Sequence, residues 1–235
     1  MIQTDNGQLV ELASGIDALY LSGRGDLASD LIADLGNARD EAERTNAAVL
    51  IDLGAEVDTL VEPRSFGRYR YRVRCEHGLI GVSATPALPP LRLQPTARFL
   101  HSVGPAAAVD WFSALACGFT GNLHLSVSRL DLFADWHGSE LLSEEEKDSF
   151  VGRAIRRTTY QESDAVTGFE FGRRRTQTLC ARIYDKTLDV SVKGTDWWRD
   201  VWAESYDDSR QVADRVRVWS QGAASVRRRF AGGRA

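Results

Sequence analysis

An α+β fold, built on a mostly antiparallel sheet with helices packed on one face, is the class that three features of the sequence predict. Residues 68–74 alternate Arg68, Arg70, Arg72 and Arg74 with Tyr69, Tyr71 and Val73, a period-two strand with a cationic face. Residues 123–135 (LHLSVSRLDLFAD) alternate over a length that only a strand accommodates. Leu27, Leu31, Leu35, Ala38 and Ala42 recur at helical spacing, with acidic residues on the outer side. The other face of the sheet is expected to be open and to carry the functional site.

In chain order, residues 15–22 (GIDALYLS) form a short apolar run suited to a buried strand, and a helix is expected over 26–44. Glu76-His77-Gly78 turns the cationic strand into GLIGVSAT, the second arm of a hairpin. After Pro86, Pro89 and Pro90, residues 91–100 (LRLQPTARFL) read as a strand edged at Pro95. Gly104-Pro105 opens a helix over 105–116, with proline in its first turn and Gly118 after its end. Within 123–135 the apolar positions change phase, from Leu123, Leu125 and Val127 to Leu130, Leu132 and Ala134, which predicts a bulge near Ser128-Arg129. Ser143-Glu144-Glu145-Glu146 has the form of a capping box for a helix over 143–156, with Phe150, Val151, Ala154 and Ile155 inward. A hairpin of strands 167–172 and 180–190 follows. Thr195-Asp196 then caps a short helix whose Trp198, Val201 and Trp202 face inward, and RVRVW at 215–219 reads as a last strand. A single domain is expected over 1–220, with 221–235 a basic tail, disordered or truncated.

Composition excludes several classes. With 43% hydrophobic and 26% charged residues the chain is that of an ordinary globular protein. No run reaches the roughly 20 apolar residues of a membrane helix, and no charged start leads into an apolar secretion signal, so a cytoplasmic protein without a membrane partner is expected. Cys75, Cys117 and Cys180 are odd in number and lack CxxC spacing, which predicts reduced thiols. The net charge of −4 is unevenly spread: residues 1–60 hold twelve Asp/Glu against three Lys/Arg, and the remainder 26 basic against 21 acidic. A polyanion should therefore meet the later part, where Arg153, Arg156 and Arg157, Arg173, Arg174 and Arg175, and Arg227, Arg228 and Arg229 cluster. There is no GxxxxGK[ST] and no GxGxxG, and His77, His101, His124 and His137 are scattered, which argues against a nucleotide-driven motor, a dehydrogenase or a histidine-ligated nuclease.

Asking which residues share a face brings out the chemistry. If Leu130, Leu132 and Ala134 point to the core, Arg129, Asp131, Phe133 and Asp135 point away from it. In the hairpin, Phe169, Phe171, Ala181 and Ile183 inward leave Gly168, Glu170, Gly172, Arg182, Tyr184 and Lys186 outward. One open face would then collect Asp131, Asp135, Glu170, Arg129, Arg182, Lys186 and Tyr184. Carboxylates for a hard divalent cation, Mg or Mn, beside cations for phosphate and a phenol, are the ingredients of metal-assisted phosphodiester chemistry. Asp131 and Asp135 are four strand residues apart, roughly 13 Å at about 3.3 Å per residue, so one ion fits one of them with Glu170 from another strand. The alternative is a ladder of surface ion pairs, such as Asp131 with Arg182.

The segments SRLDLFAD at 128–135 and GFEFGRRRTQTLCARIYDK at 168–186 resemble the replication initiation factor family, the rolling-circle initiators and conjugative-element nickases of plasmids. The family's pattern is an Arg-apolar-Asp strand, a Tyr-x-Gly-x-Arg hairpin, and an Arg-x-Tyr-Asp/Glu-Lys strand, in that order. The resemblance is strongest over 123–190 and extends weakly to the Trp-rich helix at 197–202. It implies an antiparallel sheet with helices on one face, a divalent metal, and a tyrosine that attacks a DNA phosphate to leave a 5′-phosphotyrosyl bond. Where the family carries that tyrosine this chain has Glu170, so the family's transesterification needs another tyrosine, with Tyr184 and Tyr160 as candidates, or does not occur. The family's Arg-x-Glu strand near the end also has no counterpart in RVRVWSQGAASVRRRFAGGRA.

The expected function is that of a rolling-circle replication initiation protein of a plasmid or other mobile element, an endonuclease that nicks origin DNA and transfers the strand. Asp131 and Glu170, with Asp135, would be metal ligands; Arg129, Arg173, Arg174, Arg175, Arg182 and Lys186 would hold DNA. The substrate would be origin DNA, single-stranded or as supercoiled duplex, with a homodimer as one assembly option. The alternative is an origin-binding or regulatory protein of a plasmid, phage or integrated element that has lost nicking.

Overall fold

The computed structural model describes residues 9–54, 57–138, 142–143, 150, 154, 156–172, 179–205 and 213–224, the last six by their backbone alone. These residues form eleven strands and four helices, and every registered strand pair is antiparallel, the α+β class expected. The chain divides into two compact units. A central unit is formed chiefly by Ala18–Leu130, and a terminal unit by the residues up to Asp17 together with Asp131–Gln221. Strands β1 (Val10–Leu27) and β7 (Thr120–His137) each contribute one half to either unit.

The central unit adds α1 (Ser29–Thr45), β2 (Val49–Ile51), β3 (Thr59–Glu62), β4 (Tyr71–Cys75), β5 (Gly78–Val82), β6 (Leu91–Pro95) and α2 (Ala97–Ala116). Its strands lie in the order β2-β3-β4-β5-β6-β1-β7. Register aligns Val61, Val73, Ile80, Leu93 and Leu21 in one row across β3, β4, β5, β6 and β1, and all five are buried. Burying each such side chain stabilises the unit by about 1.5–3 kcal/mol, which fixes the register of the whole ladder. One residue along, Glu62, Arg72, Gly81, Arg92 and Ser22 form the next row, on the opposite face because side chains alternate. Helix α1 packs against β2, β3 and β4, and α2 against β6. Their inward residues include Leu35, Ala38 and Ala42 on the first and Ala108, Phe112 and Leu115 on the second. Asn46, left-handed at φ 51°, ends α1.

The strand expected over 91–100 stops at Pro95. Thr96 accepts a hydrogen bond from the Phe99 N–H at 3.2 Å and starts a helix there, so Phe99 and Leu100 are buried from a helical backbone. Gly104, at φ 79° and ψ 161°, breaks that helix, and Pro105 begins its second part where the sequence predicts.

The terminal unit adds β8 (Arg157–Glu162), β9 (Ala165–Phe171), β10 (Leu179–Asp185), α3 (Lys186–Lys193), α4 (Trp197–Ala203) and β11 (Asp214–Ala224). Its strand order is β1-β7-β11-β10-β9-β8. Leu12, Phe133, Val190, Trp198, Trp202 and Ala213 form one buried cluster between strands and helices. Phe150 packs on Phe169 and Phe171, with ring centroids 5.8 and 5.4 Å away. The strand expected to reach residue 190 ends at Asp185, whose Oδ1 accepts from the Leu188 N–H at 2.8 Å and caps α3. Gly194, left-handed at φ 62°, closes it. Strand β8 is not among the elements the sequence predicts. The helix expected over 143–156 lies largely outside the described residues, and Phe150, Ala154 and Arg156, which are described, are not helical. Residues 225–235 also lie outside them. Among the described residues no helix is long and apolar enough to cross a membrane.

Candidate functional site

Register in the terminal unit places the expected site residues in two adjacent rows. Arg182 on β10 stands opposite Glu170 on β9 and Arg217 on β11. Tyr184 stands opposite Gly168 and Arg215. Arg217 donates to Asp131 on β7, and Arg215 to Asp135. Asp131, Asp135, Glu170, Arg182 and Tyr184 therefore share one face, as the alternation predicts.

That face is not open. Asp131 and Asp135 are 0% exposed, whereas Leu132, expected to point inward, is 50% exposed. The inversion follows from what covers the strand: Phe133 meets Trp198 edge-on at 5.2 Å, and Trp202 Nε1 donates to Asp135 Oδ2 at 2.8 Å. Helix α4 thus seals the face bearing the carboxylates, and buried charge persists there because guanidinium groups answer it. Arg215 binds Asp135 through Nε and Nη2 at 2.6 and 2.7 Å, and Asp17 through Nη1 at 2.7 Å. Its guanidinium carbon lies 4.1 Å from the Phe133 ring centroid and 4.2 Å from that of Trp198. Arg217 pairs with both Asp17, at 3.0 Å, and Asp131. Burial works against charge on both arginines, and the carboxylates outweigh it, so each pKa lies above the ordinary value.

These contacts decide whether Asp131, Asp135 and Glu170 suit one metal ion. Asp131, Arg217, Arg182 and Glu170 occupy four successive strands, three spacings of about 4.8 Å, so the two carboxyl-bearing backbones are roughly 14 Å apart. An ion requires oxygens at about 2.0–2.6 Å, and two arginines stand between. Asp135 has both oxygens engaged by Arg215 and Trp202. The three carboxylates do not fit a shared ion. Among the described residues no group of three or more His, Cys, Asp or Glu is arranged to hold one.

The two tyrosines differ in environment. Tyr184 is 4% exposed, and burial pushes its phenol up to about 12. Tyr160 on β8 is 38% exposed, and its hydroxyl donates to Glu170 Oε2 at 3.1 Å. The Arg182 guanidinium lies 5.1 Å from the Tyr160 ring and 4.5 Å from that of Tyr184. The Nε atoms of Arg182 and Arg217 are buried without a hydrogen-bond partner among the described residues. Gly168 is required beside this pair, since a Cβ there would sit 2.8 Å from the Ile183 carbonyl oxygen and 3.0 Å from Tyr184 Cβ.

Lys186 is buried rather than outward. Its Nζ bonds Asp189 Oδ2 at 2.7 Å and lies 5.4 Å from the Trp198 ring. Burial, and then the nearby Arg215, lower its pKa against the opposing pull of Asp189. Burial raises the Asp189 pKa, but hydrogen bonds from Lys186 and Lys193 outweigh it and hold the carboxyl below its ordinary value. Arg129 belongs to the central unit, where it covers the Tyr20 ring at 4.9 Å. Arg173, Arg174 and Arg175 lie outside the described residues. The sequence reading missed Asp17, Arg215, Arg217 and Trp202 as members of this cluster. The alternating RVRVW strand carried the signal for the two arginines, but their partners are about eighty residues or more away. No family model matches the chain, and no curated protein matches it.

Proposed function

We propose that this chain is a DNA-nicking protein of the rolling-circle initiator type in which Tyr160 is the nucleophile. The observation that carries this reading is the Tyr160 hydroxyl at 3.1 Å from Glu170 Oε2, with Arg182 alongside. A solvent-reached phenol hydrogen-bonded to a carboxylate is an activated nucleophile paired with its base, the arrangement covalent phosphoryl transfer needs. The resemblance puts a tyrosine where Glu170 stands. Here the phenol comes from the neighbouring strand and its oxygen reaches the Glu170 carboxylate.

In the step this implies, Tyr160 Oη attacks phosphorus and its proton passes to Glu170. The bond from phosphorus to the 3′ oxygen breaks, leaving a 5′-phosphotyrosyl linkage. The departing 3′ oxygen takes a proton back from Glu170 or from water, and the reverse attack reseals the strand. The Arg182 guanidinium, 5.1 Å from the Tyr160 ring, would offset charge gathering on the phosphate oxygens. No role falls to Asp131 or Asp135, which are committed to Arg217 and Arg215.

A second reading, an origin-binding protein that does not nick, is favoured by the missing fit between the buried carboxylates and a metal. The test incubates the chain with supercoiled plasmid and with end-labelled single strands, with and without Mg²⁺ or Mn²⁺, and maps any covalent adduct by mass spectrometry. A 5′-phosphate adduct on Tyr160, lost in Tyr160→Phe and reduced about 10²–10⁴-fold in rate in Glu170→Gln, is expected. An adduct on Tyr184 overturns the assignment. No adduct and no nicking in any metal, by a folded chain that still binds the plasmid, favours the second reading.

A further inference from the structure

The outer face of the central sheet carries a regular arrangement that the nicking chemistry does not use. Its row Glu62, Arg72, Gly81, Arg92, Ser22 faces away from the buried apolar row. Over Gly81 lies the Phe66 ring: a Cβ at Gly81 would come within 2.9 Å of both Phe66 Cδ1 and Tyr69 Cγ. Reciprocal backbone hydrogen bonds between Phe66 and Tyr69, 3.0 and 3.1 Å, hold that turn on the sheet. Arg72 lies 6.0 Å from the Phe66 ring and Arg92 4.8 Å from it. Arg92 is also 5.0 Å from the Tyr20 ring, on whose centroid Arg129 converges at 4.9 Å. Cation, ring, cation, ring and cation therefore alternate from β4 to β7, over four strand spacings or about 19 Å. All five side chains are half-buried, with part of each reaching solvent.

We infer that this face is a platform for a single strand of DNA, with bases stacking on Tyr20 and Phe66 and phosphates meeting Arg72, Arg92 and Arg129. Charge complementarity selects the occupant. Residues 62–74 hold five arginines against one glutamate. That Glu62 is shared by Arg72 and Arg74, and Arg92 makes no ion pair among the described residues. A guanidinium offers its donors in a planar fork that matches phosphate geometry. A broad sheet face with rings set among cations can stack unpaired bases, whereas a duplex presents no base faces to it. The inference takes DNA as the ligand from the function proposed above, and it does not depend on nicking.

The test measures fluorescence anisotropy of a labelled oligothymidylate of about 20 nucleotides, its duplex and the matching oligouridylate, across a salt series with the full chain. Tyr20→Leu and Phe66→Leu should each weaken single-strand binding about fivefold or more. Arg92→Gln should lower the slope of log K against log salt by about 0.7, one phosphate contact, and Arg92→Lys should keep it. Thermal melting of each variant separates lost binding from lost folding, and Arg92→Lys against wild type remains informative if the other variants unfold. Wild-type affinity and slope in the folded variants, or tighter binding of the duplex, overturns the platform. Tighter binding of the oligouridylate overturns DNA as its ligand. An adduct on Tyr160 with unaltered binding in these variants refutes the platform alone, and weakened binding without any adduct refutes nicking alone.

Discussion

Arg215 and Asp135 form a two-bonded ion pair in which neither side chain is exposed, Nε to Oδ1 at 2.6 Å and Nη2 to Oδ2 at 2.7 Å. The pair joins β11 to β7 and lies under Trp198 and Trp202. Such a pair adds little net stability over an apolar one, because desolvation opposes the Coulomb attraction, yet removing one partner strands the other. Asp135→Asn should therefore cost about 3–5 kcal/mol, read as a lower urea midpoint at constant m-value. Asp135→Leu with Arg215→Met should recover much of that loss. An Asn variant within about 1 kcal/mol of wild type would show that the pair does not hold the unit together.

Tyr184 makes a second prediction, in alkaline solution. Its folded pKa is raised by burial to about 12 from an ordinary 10, so the folded state keeps a proton that the unfolded chain loses. The stability this gives is complete below pH 10 and disappears as pH climbs through 12, a loss of about 2–3 kcal/mol. Lys186 acts with the opposite sign. Burial lowers its pKa, so its cost to the folded state is full at low pH and vanishes as pH rises to 10.5. Unfolding free energy followed from pH 9 to 12 should fall steeply in wild type and less so in Tyr184→Phe. Parallel curves for the two proteins would contradict the burial of that phenol.

Much of the fold is written locally in the chain, and the site is not. The strand Tyr71–Cys75, expected from residue 68 but preceded there by the Phe66–Tyr69 turn, and the helices beginning at Ser29 and Pro105 follow from alternation, spacing and a proline, all visible within a dozen residues. The side that β7 buries is not local. Leu130, Leu132 and Ala134 read as inward because they are the apolar positions of the alternation. Asp131 and Asp135 become buriable only when Arg217 and Arg215 arrive from β11. Strand β8 escapes notice for a related reason: Arg157-Thr158-Thr159-Tyr160-Gln161-Glu162 is polar on both sides and has no apolar period. Without that strand, nothing in the sequence places Tyr160 against Glu170.

The arginine shared between Asp17 and Asp131 gives the last prediction. Arg217 is bonded to both carboxylates, so Asp131→Asn leaves it one charged partner, and the loss should be smaller than for Asp135→Asn, about 1–2 kcal/mol. Asp17→Asn removes a partner from Arg217 and from Arg215 together. Combined with Asp131→Asn it should cost more than the sum of the single changes, because Arg217 then loses both carboxylates. The same variants examine metal binding at Asp131. An ion held there at 100 times its Kd would stabilise the folded chain by about 2.7 kcal/mol, and that gain would vanish in Asp131→Asn. With Arg217 already seated on the carboxylate, millimolar Mn²⁺ should move the melting midpoint of wild type and Asp131→Asn equally. A Mn²⁺-dependent rise confined to wild type would show that the ion displaces Arg217, and would restore Asp131 as a ligand.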